Sequence, residues 1–229
     1  MSRRFSALLA AVTVVSSVAA TQAQKLSAVA DTFVDSDQPT MNFGADSFAE
    51  VGVLGFPKDA VERALLTFDL SSLPAGTPIN RARLRFVLTD AEPDPPEFAV
   101  TVLRLAGGFD ENTVTWDTQP PALPAPSAMA LIGETIGEVV DIDVTDLVRA
   151  QRAAPLPNSI SLRIAPSDET PAFDARFFDL ATKEAEPPQA AMLLIDIAAG
   201  APALTGRGVP LALLALALVG GLAMRRRRA

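Results

Sequence analysis

Hydrophobic and polar residues alternate along much of this chain, the period-two pattern of strands that bury one face. The clearest stretch is 63–86, where Ala64, Leu66, Phe68 and Leu70 alternate with Leu65, Thr67 and Asp69, a strand buried on one face and part of the other. Pro, Gly and Ser over 71–78 then supply turn chemistry. Beyond the turn Ala82, Leu84, Phe86 and Leu88 point one way, while Arg81, Arg83 and Arg85 point the other. The same reading places strands at 28–34, 48–54, 64–70, 82–88, 99–105, 113–116, 138–144, 159–164, 175–179 and 191–197. Pro93, Pro95 and Pro96 break one connection and the proline-rich run 120–126 breaks another, because proline lacks a ladder donor. Thr145 is placed to cap a short helix over 146–153, with Leu147 and Val148 facing inward. The pattern predicts an all-β domain, a jelly-roll-like antiparallel β-sandwich with one short helix.

Two apolar runs depart from this alternation. Arg3 and Arg4 precede an apolar stretch from 5 to 20, and Thr21-Gln22-Ala23 offers small residues for a peptidase cut, so 1–23 reads as a Sec signal peptide. At the other end 209–224 is continuously apolar and is followed by Arg225, Arg226, Arg227 and Arg228. A helix rises about 1.5 Å per residue, so this run is near the lower limit for crossing a hydrocarbon core of about 30 Å, and the arginines hold its exit in the cytoplasm. The expected organisation is a signal at 1–23, the sandwich at 24–197, a linker at 198–208, a transmembrane or sorting helix at 209–224 and a basic tail at 225–229. The domain is thus expected outside the cell or in its envelope.

Composition narrows the chemistry. Seven of the 19 Lys and Arg lie in the end segments while all 27 Asp and Glu lie between them, which leaves the middle 15 charges to the acid side. Such a surface repels nucleic acid. With no Cys, the fold rests on apolar burial rather than disulfides. With neither His nor Cys, a Ser-His-Asp triad, a Cys-His pair and an ordinary zinc site are all excluded. Catalysis is left with paired carboxylates or a Ser-Lys arrangement, and no motif marks either one.

Several ordered motifs carry a resemblance. A strand ending Phe68-Asp69-Leu70-Ser71, the turn from Leu73 to Gly76 and the segment from Ile79 to Leu84 stand in succession. Ala30-Asp31-Thr32-Phe33-Val34 with Asn42-Phe43-Gly44 precede them; Glu111-Asn112-Thr113-Val114-Thr115-Trp116, then Asp143-Val144-Thr145-Asp146-Leu147-Val148, and Ala181-Thr182-Lys183-Glu184 follow. Over roughly 28–197 the chain resembles the DNRLRE family of secreted bacterial domains, β-sandwich carbohydrate-binding modules akin to family 96, some of whose members bind alginate. The tail, through Ala201-Pro202-Ala203-Leu204-Thr205 and Gly208, resembles Gram-negative sorting signals of the Ile-Pro-Thr-Leu type, which a membrane protease cuts. A permanent single-pass anchor is the other reading, and both need the same insertion physics. The resemblance implies noncatalytic recognition of a polysaccharide. A structural or adhesive surface protein without a sugar site is the alternative, and a carboxylate-based polysaccharide lyase or hydrolase is a third.

Candidate site residues fall into three groups. Alternate positions on a strand lie roughly 7 Å apart, so Arg81, Arg83 and Arg85 could meet successive carboxylates of an acidic polysaccharide, joined by Arg104 and Arg163 if their strands are neighbours. The competing reading pairs these arginines with acids across the sheet. Asp31, Asp35, Asp37, Asn42 and Asp46 offer hard oxygen ligands for Ca²⁺, the one cofactor considered, although their spacing is not that of the twelve-residue calcium loop. Trp116, the single Trp, and Phe43, Phe56, Phe109, Phe173 and Phe178 are either sugar platforms or core residues.

Overall fold

A computed structural model describes residues 21–198, apart from 56–57, 93–96, 157, 171–174, 186–188 and the side chain of Thr21. Residues 1–20 of the expected signal (1–23), 199–208 of the expected linker (198–208), the apolar helix and the basic tail lie outside the described residues, whereas 21–23 belong to a strand. Among the described residues no helix is long and apolar enough to cross a membrane.

Among the described residues ten strands and one helix follow in the order β1 (Thr21–Asp35), β2 (Phe48–Val53), β3 (Val61–Asp69), β4 (Ile79–Glu92), β5 (Phe98–Leu105), β6 (Ala122–Ile132), β7 (Val139–Asp143), α1 (Thr145–Arg152), β8 (Ser159–Pro166), β9 (Arg176–Ala181) and β10 (Met192–Ala198). Each pairing is antiparallel. One sheet has the order β1-β10-β4-β7. The other is centred on β3, which pairs with β1, β2 and β8; β8 leads on to β5 and β6, and β2 to β9 and β4. The long strands β1 and β4 serve both sheets, changing partner at register shifts near Ala28 and Leu88, where a bulge bends the strand. The path β1-β10-β4-β9-β2-β3 returns to β1, so the sandwich is barrel-like along that course.

The core follows the alternation read from the chain. Leu66 and Phe68 of β3 and Ala82, Leu84, Phe86 and Leu88 of β4 are all buried, together with Leu193 and Ile195 of β10 and Leu147 and Val148 of α1. Phe86 stacks on Phe178 with ring centroids 5.7 Å apart. A smaller cluster of Val34, Leu65, Leu105 and Val114 lies apart from it, which accounts for Leu65 being buried although it alternates with the main core face.

Three expectations are corrected. Residues 113–116 form turns, not a strand: the amides of Thr113 and Val114 both donate to Asp110 O, and Asn42 Nδ2 donates to the carbonyls of Glu111 and Val114. Residues 122–132 form strand β6 despite Pro124 and Pro126. The register runs from Leu103↔Ser127 to Leu105↔Ala122, so 123–126 bulge out of the ladder, where proline costs no hydrogen bond. Thr145 is the first residue of α1 and gives it no side-chain cap; its hydroxyl donates to Asp143 Oδ1 and accepts from Ala82 N, tying the helix to β4.

Candidate functional site

The outward positions of β4 place Arg81, Arg83 and Arg85 in a row on the first sheet. Register sets Asp196 of β10 beside Arg81, Leu194 beside Arg83 and Met192 beside Arg85, and on the other side Asp143 beside Arg83 and Asp141 beside Arg85. Lys25 of β1 lies across from Leu194. The face therefore carries four cations and three carboxylates within a strongly acidic domain. Arg85 grips Asp141 through two bonds of 2.8 and 2.6 Å, and Arg83 reaches the same carboxylate at 3.4 Å. The bond from Arg85 holds the Asp141 carboxyl below its ordinary value. Arg81 differs: its side chain is 55 % exposed and its Nε lies 3.7 Å from Asp143, whose carboxylate is bonded to Thr145.

A cleft opens at each end of this row. One of about 510 Å³ is lined by Asn80, Arg81, Ser127, Met129, Asp143 and Arg149 among others, between β4, β6 and α1. Such a mixture of guanidinium, carboxamide, hydroxyl and carboxylate groups suits a polyhydroxylated ligand. The other, of about 430 Å³, is lined by Arg85, Val87, Val139, Gln189 and Met192. Arg104 and Arg163 join neither cleft. Leu103 is the partner of Arg163 and Leu162 that of Arg104, so the two arginines point to opposite faces of the second sheet. Burial pushes the Arg163 guanidinium down, with repulsion from Arg63 adding to it.

The candidate calcium ligands are held by different partners. Asp35 accepts from Asp37 N and Gln38 Nε2, Asn42 pins the loop after β5, Asp37 is exposed, and the Asp46 carbonyl accepts from Thr182 Oγ1. Asp31 enters a carboxylate cluster with Glu111 and Glu184, with ligand oxygens all within 4.8 Å of one another. The cluster is knitted by the amide of Asp31 donating to Glu111 Oε1 and that of Lys183 donating to Asp31 Oδ2. Lys183 Nζ sits among the three, 2.6 Å from Glu111 Oε2, 3.9 Å from Asp31 Oδ1 and bonded to Glu184. Burial pushes the Asp31 carboxyl up to about 7, against the pull of the Lys183 amide and ammonium. Burial also works against the Lys183 charge, but the bonds to Glu111 and Glu184 outweigh it and raise its pKa. These oxygens have the hardness Ca²⁺ requires, yet the lysine ammonium stands where an ion would, so a cation would have to displace it. Glu111 and Glu184 were missed as partners of Asp31, although both stand in the motifs that carry the family resemblance.

A second group of acids surrounds Glu62. Glu62 hydrogen-bonds to Glu50, with Asp35 close to both; burial raises both glutamates, and it pushes Asp179 up to about 7. The aromatic candidates are largely occupied. Trp116 packs half-buried against the smaller cluster, with the Arg63 guanidinium 4.1 Å from its ring centre. Phe43 stacks on Phe33 at 4.2 Å, Phe109 packs against the smaller cluster, and Phe178 is in the core. Phe56 and Phe173 lie outside the described residues.

No curated protein matches the chain. A family model does: that of carbohydrate-binding module family 96 aligns with residues 22–193, from the start of β1 into β10. A match of that extent covers both sheets and every motif meeting at the Asp31 cluster, and this chain belongs to carbohydrate-binding module family 96.

Proposed function

We propose that the protein is an exported, noncatalytic module of the DNRLRE type, with a jelly-roll-like sandwich that binds an acidic polysaccharide across the outer face of its first sheet. The observation that carries this reading is the family match over 22–193. The choice of face is supported by Lys25, Arg81, Arg83 and Arg85 forming a cationic row between two clefts in a domain otherwise dominated by acids. Arg81 takes the leading role because its guanidinium is exposed and its carboxylate partner is distant. Arg83 and Arg85 contribute by exchanging Asp141 for ligand carboxylates, at a cost in lost pairing. The N-terminal signal delivers the domain outside, and the C-terminal apolar helix with its arginines anchors it in the membrane or presents it to a sorting protease.

Titration of alginate, polygalacturonate and a neutral glucan into the wild type and Arg81→Glu tests the proposal. Alginate or polygalacturonate should bind the wild type more weakly as salt shortens the reach of charge to about 8 Å near physiological ionic strength, and should bind Arg81→Glu least. Preference for the neutral glucan, or equal binding by both proteins, refutes the cationic face. Failure of all glycans favours a structural or adhesive surface role. Fractionation of cells making the full chain or a form ending at 200 tests the tail: equal solubility of the two refutes anchoring.

A further inference from the structure

Among the buried charged groups of the second sheet, Arg104 is the arginine that lines a cleft. It is 9 % exposed, and among the described residues its Nε has no hydrogen-bond partner. Its Nη1 donates to Gln151 Oε1 at 3.1 Å, and the Gln151 amide is fixed in that orientation because its Nε2 donates to Leu156 O at 2.7 Å. Among the described residues no carboxylate forms an ion pair with it. A guanidinium removed from water and faced by one neutral amide is costly, and such a group calls for an anion.

The space for one is present. Arg104 lines a cleft of about 320 Å³ between the end of β5, the start of β6 and the chain leaving α1. The walls are aliphatic, with Leu105, Leu123, Ala154, Pro155 and Leu156, and among the described residues the lining includes no Asp or Glu. Beside Gly107 and Gly108 the space is open, and Leu156 is 77 % exposed at the rim. Ser159 is an exposed hydroxyl in the lining.

We propose that this cleft binds an organic monocarboxylate with a compact apolar body, its carboxylate paired with Arg104 and its body against Leu105, Leu123 and Leu156. The guanidinium fork matches a carboxylate in geometry as well as charge, and a mostly apolar lining with a few fixed polar groups is the usual make-up of a small-ligand site. This site is separate from the arginine row of the first sheet and does not depend on the polysaccharide reading.

Calorimetric titration of the full chain with hexanoate, hexanamide and galacturonate tests the assignment. Hexanoate should bind at one site and hexanamide about tenfold or more weaker, as loss of a charge-assisted hydrogen bond gives. Arg104→Met should abolish hexanoate binding while melting at or above the wild-type midpoint in the absence of ligand, since it removes a buried charge with no ionic partner. Arg104→Lys should keep part of the binding, and Arg81→Glu should keep all of it. Absence of hexanoate binding, hexanamide equalling hexanoate, undiminished binding by Arg104→Met, or galacturonate binding at least as tightly as hexanoate would each overturn the proposal. A lowered midpoint for unliganded Arg104→Met would do so too, by showing that the guanidinium already has a structural role.

Discussion

Replacing Glu62 by Gln should make the protein more stable at neutral pH and leave it nearly unchanged in mild acid. Glu62 is 3 % exposed, among the described residues its Oε2 has no hydrogen-bond partner, and register sets Asp35 directly beside it. Burial raises its pKa above the ordinary 4.5, and Glu62 therefore keeps its proton and donates to Glu50. The folded state then holds a proton that the unfolded chain releases above 4.5, so folding is favoured below that pH and weakens as pH rises. Each pH unit costs about 1.4 kcal/mol for one such group, hence about 3 kcal/mol between pH 4.5 and 7 as an upper figure. Glutamine keeps the donor toward Glu50 and carries no proton to lose. The stability of Glu62→Gln should thus fall with pH by about 1.4 kcal/mol less per unit than that of the wild type. Glu50, also raised by burial, and Asp31 and Asp179, raised to about 7, leave some slope in both proteins. Asp141 and Asp143 have lowered values and contribute stability that is lost only below 3.8, outside this window. Urea unfolding of the full chain at pH 4.5, 5.5 and 7, followed by Trp116 fluorescence, measures the difference. Parallel curves, or a variant less stable than wild type at pH 7, would refute the buried-proton account.

Gly44→Ala should cost about 3 kcal/mol, because a Cβ there would lie 2.1 Å from Glu111 O and must displace the loop that Asn42 pins; a wild-type urea midpoint would contradict this. Phe86→Ala removes one ring of the buried Phe86–Phe178 stack and should cost about 3–5 kcal/mol by the same measurement. Lys183→Met leaves Asp31, Glu111 and Glu184 without their ammonium, so its destabilisation, about 2–3 kcal/mol, should be larger at pH 8 than at pH 5, where the carboxyls can take up protons. An equal loss at both pH values would show that the lysine acts through packing alone.

Which residues face inward was legible in the chain, because strand side chains alternate and burial selects one parity. Leu66, Phe68, Leu84 and Phe86 needed no knowledge of their neighbours to be placed in the core. The helix after β7 was legible by a different signature, since Leu147 and Val148 are consecutive and both face inward, as a helical stripe allows and a one-faced strand does not. What the chain could not show was which strands pair. Register alone gives Arg83 and Arg85 the same partner, Asp141, and leaves Arg81 at the mouth of a cleft. Topology alone turns Arg104 and Arg163 to opposite faces. β6 was hidden because its prolines read as breakers, and only the partner strand reveals that they occupy a bulge. The Asp31 cluster shows the limit most plainly: Glu111 lies 80 residues from Asp31, and Lys183 lies 152 residues away. Local spacing favoured Asp35, Asp37 and Asp46 as companions, but a strand sends carboxylates along its own axis, and a cluster closes only where distant loops are brought together by the pairing of their strands.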